Sequence, residues 1–296
     1  DDDSAAFLRK HYPQVELLLL DKNYGYAEGY NRALEQVAAD YYVLLNSDVE
    51  VEEGWLGPLA ELMASDERIA ALAPKILSYD RPGYFEYAGA SGGFLDAFGY
   101  PFCRGRILDT IEQDDGQYDT SRDVFWASGA CMMVRADVFR KLGGFDGDFF
   151  AHMEEIDFCW RAQLAGYRIM VEPRSWVFHL GGGTLPNNSP RKLYLNYRNN
   201  LSMLYKNLSK RTLWPLLFTR MVLDGMSAFV FLMQGRRDFF KVVFRSHMDF
   251  YKILGMLRAK RRAIQRDRTG SAAGNIYRGS IILRHALGRR TFGRMM

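Results

Sequence analysis

A carboxylate follows an apolar run in YYVLLNSDVEV, residues 41–51. Strand-forming residues give way to Asn46-Ser47-Asp48, and the alternation of apolar and polar residues resumes with Val49. A carboxylate at the carboxyl end of a strand can bind a hard divalent cation, which prefers oxygen ligands and accepts substrate phosphates. The segment by itself equally fits an Asx turn that caps the next segment.

A second group of carboxylates stands in HMEEIDFCWR, residues 152–161. Glu154, Asp157 and Arg161 are spaced i, i+3 and i+7, so they share one face of a helix. Glu155 lies about 100° round that helix from Glu154. A carboxylate in a site could accept a proton from an attacking hydroxyl group. The alternative is an acidic first turn stabilised by the helix dipole, with an ion pair between Asp157 and Arg161.

A histidine ends the strand-like segment WVFHLGGG, residues 176–183. Neutral imidazole is a common metal ligand, and the glycines after His179 would let a ligand approach the backbone closely. Histidine is also often partly buried for structural reasons. His179 is therefore a candidate ligand with a structural alternative.

The first third of the chain alternates between predicted strands and predicted helices. The predicted strands are 15–21, 41–46 and 69–77, the last with a turn near Pro74. The predicted helices are 27–39 and 54–65. This order predicts an α/β fold with a mainly parallel sheet and helices on both faces. In such sheets ligands bind at the carboxyl ends of the strands, where Asp48 lies.

The next segments are less regular. Residues 80–122 have weak periodicity and predict a long loop or an irregular hairpin. The pattern then predicts a strand over 124–134, a short helix, a helix over 153–166 that ends at Gly166, and two strands over 167–173 and 175–183.

Charge divides the chain into two parts. Residues 206–296 carry 20 Lys or Arg and four Asp or Glu, whereas residues 1–205 carry 19 and 31. The basic part could contact an anionic surface, and the absence of a zinc-finger or RNA-binding signature argues against nucleic acid. The three widely spaced cysteines show no metal-ligand pattern and fit a reducing compartment.

An apolar segment begins the basic part. Residues 212–235 contain only Arg220 and Asp224 as charged residues, at a spacing that lets them pair on a helix. Basic clusters follow at 236–237 and 260–262. This combination predicts a helix that lies at a membrane surface rich in anionic lipid. The alternative is a helical subdomain packed on the first part of the chain.

Together these segments resemble the family 2 glycosyltransferases of the GT-A fold, in particular the bacterial rhamnosyltransferase-like branch. The segments that carry the resemblance are NYGYAEGYNRAL (23–34), LLNSDVEV (44–51), WASGACMMVR (126–135), GGFDGDFF (143–150), EEIDFCWRAQLAGYRI (154–169) and HLGGGT (179–184). The resemblance predicts a glycosyltransferase domain over 1–205 and a helical C-terminal region over 206–296. Only the tail of the family's first nucleotide-binding segment matches, at 2–4, so we expect the chain to lack that domain's first strand.

The resemblance also implies roles for individual residues. Asp48, in the position of the family's DxD element, and His179 would bind Mg²⁺ or Mn²⁺ at the donor's diphosphate. Glu155 would be the general base, beside Glu154 and Asp157 in the catalytic motif, and Arg161 would lie on the acceptor side. The residues expected to bind the donor are Asn23, Gly25, Asn31, Asn46, Asp48, Trp126, Ser128 and Gly129.

The implied activity is inverting transfer of a sugar from a nucleotide-sugar donor to a cell-envelope glycan or lipid-linked acceptor. Rhamnose is the first candidate for the sugar, and the cytoplasmic face of the inner membrane is the expected location. Two residues depart from the family pattern: Glu155 stands where the family has Asp, and Asn46 replaces the first carboxylate of the DxD element. The alternatives are a glycoside hydrolase, which also uses paired carboxylates, and an inactive sugar- or nucleotide-binding scaffold at the membrane.

Overall fold

A computed structural model describes residues 3–181 and 189–295 of the chain. The helices are α1 (Ser4–His11), α2 (Gly25–Leu34), α3 (Leu56–Ser65), α4 (Ala136–Lys141), α5 (Glu154–Leu164), α6 (Pro190–Asn207), α7 (Leu213–Met233), α8 (Arg237–Lys252), α9 (Leu254–Arg266), α10 (Ile281–Ala286) and α11 (Phe292–Met295). The strands are β1 (Tyr41–Leu45), β2 (Val49–Val51), β3 (Ile69–Ser78), β4 (Gly93–Asp96), β5 (Pro101–Cys103), β6 (Arg106–Ile107), β7 (Thr110–Ile111), β8 (Arg122–Asp123), β9 (Cys131–Arg135), β10 (Arg168–His179) and β11 (Ile276–Tyr277). The last two glycines of HLGGG lie outside the described residues.

The main sheet is mixed in direction. Its described strands follow the order β1-β9-β3-β10-β2, and β8 also pairs with β10. β3 and β10 pair in parallel, whereas the other described pairs of this sheet are antiparallel. The α/β class is confirmed, but the sheet is not mainly parallel, because β9 is inserted between β1 and β3. Since β1, β3 and β10 still run in one direction, their carboxyl ends meet at one edge.

Helices cover both faces of this sheet, as expected. On one face, Leu59 and Met63 of α3 pack with Leu72, Met133 and Met170. Side chains of neighbouring strand residues point to opposite faces. The other face belongs to the larger core, which includes Ala71, Ala73, Met132, Val134, Ile169 and Val171 from the strands and Ile156 and Phe158 from α5.

The predicted turn near Pro74 is wrong, because β3 continues through this residue to Ser78. Opposite Pro74, the register of β10 shifts between Glu172 and Trp176, so the residues between them form a bulge. Proline has no amide hydrogen for the ladder and is tolerated where pairing is interrupted. The two strands predicted over 167–173 and 175–183 are consequently one strand, β10.

Two other predicted strands differ from the structure. Residues 15–21 form no strand, because no described strand pairs with them; Val15 and Leu19 are exposed. A strand requires a hydrogen-bonded neighbour, so an apolar pattern alone is insufficient. The strand expected over 124–134 begins only at Cys131, and residues 124–130 form a buried loop.

The irregular region 80–122 contains much of a second sheet. Its described strands follow the order β11-β4-β5-β6-β7. β4 to β7 form an antiparallel meander, and β11 joins it from the C-terminal region by pairing in parallel with β4. The boundary expected after residue 205 falls inside α6. The two predicted regions therefore share a helix and a sheet.

Candidate active site

The ends of β1 and β10 bring Asp48 and His179 together. Val49 of β2 pairs with His179 of β10, and the Leu180 amide donates a hydrogen bond to the Asp48 carbonyl oxygen at 3.1 Å. This pairing leaves Asp48 Oδ1 3.3 Å from His179 Nε2. Both proposed metal ligands therefore lie at the edge where the carboxyl ends of the strands meet.

Glu86 approaches the other ring nitrogen of His179. Its Oε2 lies 3.4 Å from His179 Nδ1 and accepts a hydrogen bond from the Ala88 amide at 2.5 Å. Burial lowers the pKa of His179, but the hydrogen bond and charge of Glu86, together with Asp48, raise it overall. Sequence reasoning missed Glu86, which lies in the segment of weak periodicity and has no motif around it.

The residues around His179 fit a divalent cation that takes most of its ligands from a substrate. Within residues 3–181 and 189–295, no group of three or more His, Cys, Asp or Glu side chains could hold a metal ion by itself. Asp48 and His179 offer two ligand atoms, and neither buried ring nitrogen of His179 has a hydrogen bond of normal geometry. Mg²⁺ is usually bound by one or two carboxylates together with phosphate oxygens and water. A carboxylate on the second ring nitrogen, as Glu86 provides, commonly orients a metal-binding histidine.

The two adjacent carboxyl groups at the start of α5 are buried. Each has an Oε2 atom without a hydrogen-bond partner. Burial raises the pKa of Glu155 to about 7, while backbone hydrogen bonds oppose this change. The pKa of Glu154 is raised well above its ordinary value. Burial is the main cause, and the charge of Glu155 contributes less. Burial thus favours the protonated form of Glu154, and burial rather than the neighbouring charge raises the pKa of Glu155.

Two residues link this carboxylate pair to the rest of the site. Burial raises the pKa of the Cys103 thiol, and the charges of Glu86 and Glu155 both contribute to the increase. Tyr26, which lies close to Glu154 and Glu155, donates a hydrogen bond to the Gly129 carbonyl oxygen at 2.6 Å. The charges of Glu86, beside His179, and of Glu155 therefore both act on Cys103, while Gly129 contacts Tyr26.

Asp157 and Arg161 have structural partners. Asp157 is fully buried, with Arg161 Nε at 2.9 Å, Lys206 Nζ at 2.9 Å and the Asn207 amide at 2.8 Å. Arg161 also donates hydrogen bonds to the carbonyl oxygens of Leu142 and Gly144. Because both side chains are held by these partners, we expect them to fix the position of α5 rather than to touch a substrate.

Three of the residues expected to bind the donor are also held within the fold. The Asn31 amide forms two hydrogen bonds of 2.9 Å with the backbone of Phe145. Trp126 is buried and donates a hydrogen bond to the Phe94 carbonyl oxygen at 3.0 Å. The buried Ser128 hydroxyl donates to the Ala88 carbonyl oxygen at 2.6 Å. The polar side-chain atoms of these three residues are therefore hydrogen-bonded within the protein.

The loop expected near the nucleotide packs against the residues before α5. Asn23 Oδ1 accepts a hydrogen bond from the Gly25 amide at 2.8 Å. Gly25 has a φ of +77°, and a Cβ atom there would lie 2.4 Å from the Phe150 carbonyl oxygen. Glycine is therefore required for this close approach. Asn46, another residue expected to bind the donor, is partly exposed. Its backbone N–H donates a hydrogen bond to the Ala130 carbonyl oxygen at 3.0 Å.

The segment before α5 has a strained backbone. Phe150, His152 and Met153 have φ values of 65°, 70° and 74°, which non-glycine residues rarely adopt. Such strain is concentrated at functional sites. The pKa of His152 is lowered to about 4, mainly by burial and to a smaller extent by the charge of Lys192. Its buried Nε2 atom has no hydrogen-bond partner. Among the described residues, Glu154 and Glu155 also have a buried oxygen without a hydrogen-bond partner, as expected for a site that binds a polar ligand.

The chain is similar to known glycosyltransferases. Residues 1–143 match the sequence profile described as Glycosyl transferase family 2. The N-acetylglucosaminyl-diphospho-decaprenol L-rhamnosyltransferase of Mycobacterium tuberculosis (strain CDC 1551 / Oshkosh) is 28% identical over 184 residues, which are 57% of this chain and 60% of that protein. The chain thus spans about 60% of the length of this curated relative.

Two solved structures share the fold. Staphylococcus aureus TarS 1–349 aligns with a TM-score of 0.50 and 12% identity over 97% of this chain and 79% of that chain. GalNAc-T7 with UDP, GalNAc and Mn²⁺ aligns with a TM-score of 0.50 and 13% identity over 68% of this chain and 38% of that chain. These likenesses show the GT-A fold. Residues 1–143 therefore match glycosyltransferase family 2, and the chain is similar to rhamnosyltransferase-like members of that family.

Proposed function

We propose that this protein transfers a sugar from a nucleotide-sugar donor to a hydroxyl group of a lipid-linked or glycan acceptor, with inversion at the anomeric carbon. The observations that carry the proposal are the Glu155 carboxyl group at the start of α5, with its pKa of about 7, and the Asp48–His179 pair at the ends of the strands. A general base is most effective when its pKa is near the working pH. The match to the family supports the same reaction class.

Glu155 has the central role in the proposed mechanism. The Glu155 carboxylate takes the proton of the acceptor hydroxyl group, and the hydroxyl oxygen forms a bond to the anomeric carbon. The bond between that carbon and the nucleotide diphosphate breaks at the same time, on the opposite side. Because burial favours the protonated form of Glu154, it disfavours a second negative charge beside the base.

Asp48 and His179 would hold a divalent cation, Mg²⁺ or Mn²⁺. When bound, this cation would neutralise charge on the departing diphosphate. Glu86, 3.4 Å from His179 Nδ1, would keep the imidazole oriented with Nε2 towards Asp48. The Mn²⁺ in the GalNAc-T7 structure supports this proposal.

Rhamnose from a dTDP donor is the proposed sugar. The support is the similarity to a rhamnosyltransferase whose name specifies a diphospho-decaprenol acceptor. Isothermal titration with UDP-, dTDP- and GDP-sugars, each with and without Mn²⁺, would identify the donor. NMR analysis of the product would report its anomeric configuration. Selective binding of dTDP-rhamnose and an inverted product would support the proposal, whereas selective binding of another donor would replace rhamnose.

Two other functions make different predictions. A glycoside hydrolase would cleave glycans without a nucleotide sugar, whereas the proposed enzyme requires both donor and acceptor. An inactive scaffold, which the departures at Asn46 and Glu155 favour, would bind a donor without transferring its sugar. Donor turnover that depends on the acceptor therefore separates all three functions.

We also propose that the protein docks on a membrane through α7. In this helix the charged residues are inside and the large apolar residues are outside. Arg220 and Asp224 are 5% and 0% exposed and pair at 2.8 Å, whereas Phe218, Met226 and Met233 are 71%, 60% and 73% exposed. Charged residues within lipid-contacting helices usually face the protein interior in this way.

The packing of α7 favours a position along the membrane surface. Arg220 stacks over the Tyr100 ring at 3.7 Å, and Asp224 Oδ2 lies 3.2 Å from His247 Nε2 of α8. Within the described ranges, α7 alone is long and apolar enough to cross a membrane by length and composition. Because its polar side is attached to the second sheet and to α8, we propose that its apolar side enters one leaflet, on the cytoplasmic face.

The exposed charges near α7 match an anionic membrane. Exposed basic residues lie before α7 and within α8: Lys210, Arg211, Arg237, Lys241 and Arg245. Juxtamembrane lysine and arginine residues each contribute about 1 kcal/mol of attraction to anionic lipid. The expected partner is therefore a leaflet rich in anionic lipid.

Vesicle sedimentation tests this docking proposal. Phe218→Ser should weaken binding to phosphatidylglycerol-containing vesicles by about tenfold, because burial of a phenylalanine contributes roughly 1.5–3 kcal/mol. Phe7→Ser is the matched control, since Phe7 is also exposed but lies on α1. Equal binding of both variants, or no binding by the unaltered protein, would refute the role of α7.

A further inference from the structure

Asn199 of α6 contacts the strained segment before α5. Its side chain is fully buried. The amide group donates hydrogen bonds to three carbonyl oxygens, those of Phe149 at 3.0 Å, Ala151 at 2.9 Å and His152 at 2.8 Å. An amide group has two hydrogens, so at least one of them is shared between two carbonyl groups.

Arg198 fixes the orientation of this amide. Its Nε and Nη2 atoms donate to Asn199 Oδ1 at 2.9 Å and 2.7 Å. Nη2 also donates to the carbonyl oxygen of Asp148 at 2.8 Å. Because Oδ1 accepts from a guanidinium group that has no acceptor atom, the NH₂ group of Asn199 must point at the loop.

The three bonded carbonyl groups belong to a backbone that is unfavourable without support. Phe150, His152 and Met153 are left-handed, and a Cβ atom makes this conformation costly. Glu154 begins α5 immediately afterwards. The path of this segment consequently determines where the first turn of α5, with Glu155, is placed.

We infer that Asn199 is a positioning residue, which clamps residues 149–153 in their left-handed path and thereby places Glu155 for proton transfer. This inference rests on the proposed function of Glu155. It also gives α6 a second role. The Tyr194 hydroxyl of α6 donates a hydrogen bond to Asp249 Oδ2 of α8 at 2.9 Å. The helix α6 therefore connects α8 to residues 149–153.

The neighbouring Asn200 provides a matched control. It is also buried, on the same helix, and its amide donates to the Gly99 carbonyl oxygen at 2.9 Å, in the turn between β4 and β5. Asn199→Ala and Asn200→Ala both remove a buried amide, and we expect the larger decrease in Tm for Asn199→Ala because it loses more hydrogen bonds. We expect only Asn199→Ala to decrease kcat, by about tenfold or more, with little change in the KM for the donor.

The pH dependence separates positioning from general destabilisation. A displaced Glu155 gains contact with water, so the midpoint of the pH–kcat profile should move to lower pH in Asn199→Ala. Asn200→Ala should keep the midpoint of the unaltered protein. Equal kcat values and equal midpoints in the two variants would overturn the inference. If Asn199→Ala does not fold, Asn199→Asp allows the same comparison, because it keeps the side-chain shape and loses both donors.

Hydrogen exchange tests the clamp without turnover. The amides of residues 149–157 should exchange faster in Asn199→Ala than in Asn200→Ala. Equal exchange in both variants would overturn the clamp, whether or not the enzyme is active. Absence of transfer by the unaltered protein with every donor would instead refute the proposed function.

Discussion

Changing the pH between 6 and 8 tests the assignment of Glu155 as the base. Because burial raises the pKa of this carboxyl group to about 7, the base should be mostly protonated at pH 6 and mostly ionised at pH 8. For a single group with this pKa, the ionised fraction increases about tenfold between the two values. Since only the ionised form accepts a proton, kcat/KM should increase about tenfold with pH and then reach a plateau.

Two substitutions identify the residue that titrates. Glu155→Gln should decrease kcat by about 100-fold or more, in line with the usual contribution of a general base, and should remove the increase with pH. Glu154→Gln is the matched control. Burial favours the protonated form of the Glu154 carboxyl group, and glutamine has nearly the same shape as a protonated glutamate.

The assay is acceptor-dependent release of the nucleotide diphosphate, measured at saturating and at limiting donor concentrations from pH 5.5 to 8.5. We expect Glu154→Gln to retain both the rate and the pH profile within a few-fold. The reasoning is refuted if Glu155→Gln keeps the pH-dependent increase, or if Glu154→Gln loses it. The second result would assign the base to Glu154.

Three further predictions concern residues around the site. Glu86→Gln should weaken Mn²⁺ binding by about 10–100-fold, measured by electron paramagnetic resonance, because it removes the carboxylate beside His179; unchanged affinity would exclude this role. Lys206→Met should decrease the free energy of unfolding by about 1–3 kcal/mol in urea titrations, since Asp146 and Asp157 each lose one buried cationic partner and keep another, Lys260 and Arg161 respectively; a loss below about 1 kcal/mol would contradict this. Gly25→Ala should decrease Tm and kcat together, because its Cβ atom would collide with the Phe150 backbone; an unchanged Tm would show that the loop can move.

The position of the site could be predicted from local patterns. Apolar strand residues stop at Asn46-Ser47-Asp48 and again at His179, and strands that run in one direction end at one edge. The helix that carries Glu154 and Glu155 also follows from its periodicity and from its end at Gly166. These features need only local chain geometry, so the sequence is sufficient for them.

The remaining features depend on partners distant in the sequence. Asp157 has the residue type of a catalytic group, but Lys206 and Asn207 reach it from α6. Glu86 reaches His179 because its amide donates to the Ile76 carbonyl oxygen at 3.0 Å, a contact that weak periodicity does not reveal. The strand expected over 15–21 fails for the same reason, because a pattern of apolar residues does not specify a neighbour.

The same limit applies to the C-terminal region. Its composition predicts either a membrane-facing helix or a subdomain packed on the rest of the protein. In the structure, Arg220 and Asp224 attach one side of α7 to the protein, while Phe218 and Met233 leave its other side exposed. Only the tertiary packing shows which residues of this apolar helix point outwards.

Sugar transfer in the presence and absence of Mn²⁺ tests the central claim most directly. The full chain would be incubated with an acceptor and a panel of UDP-, dTDP- and GDP-sugars, beside the Asp48→Ala variant. We predict transfer from one donor that requires the metal ion and is lost in Asp48→Ala. Failure of the folded protein to transfer any sugar, or equal transfer by Asp48→Ala, would contradict the proposed site.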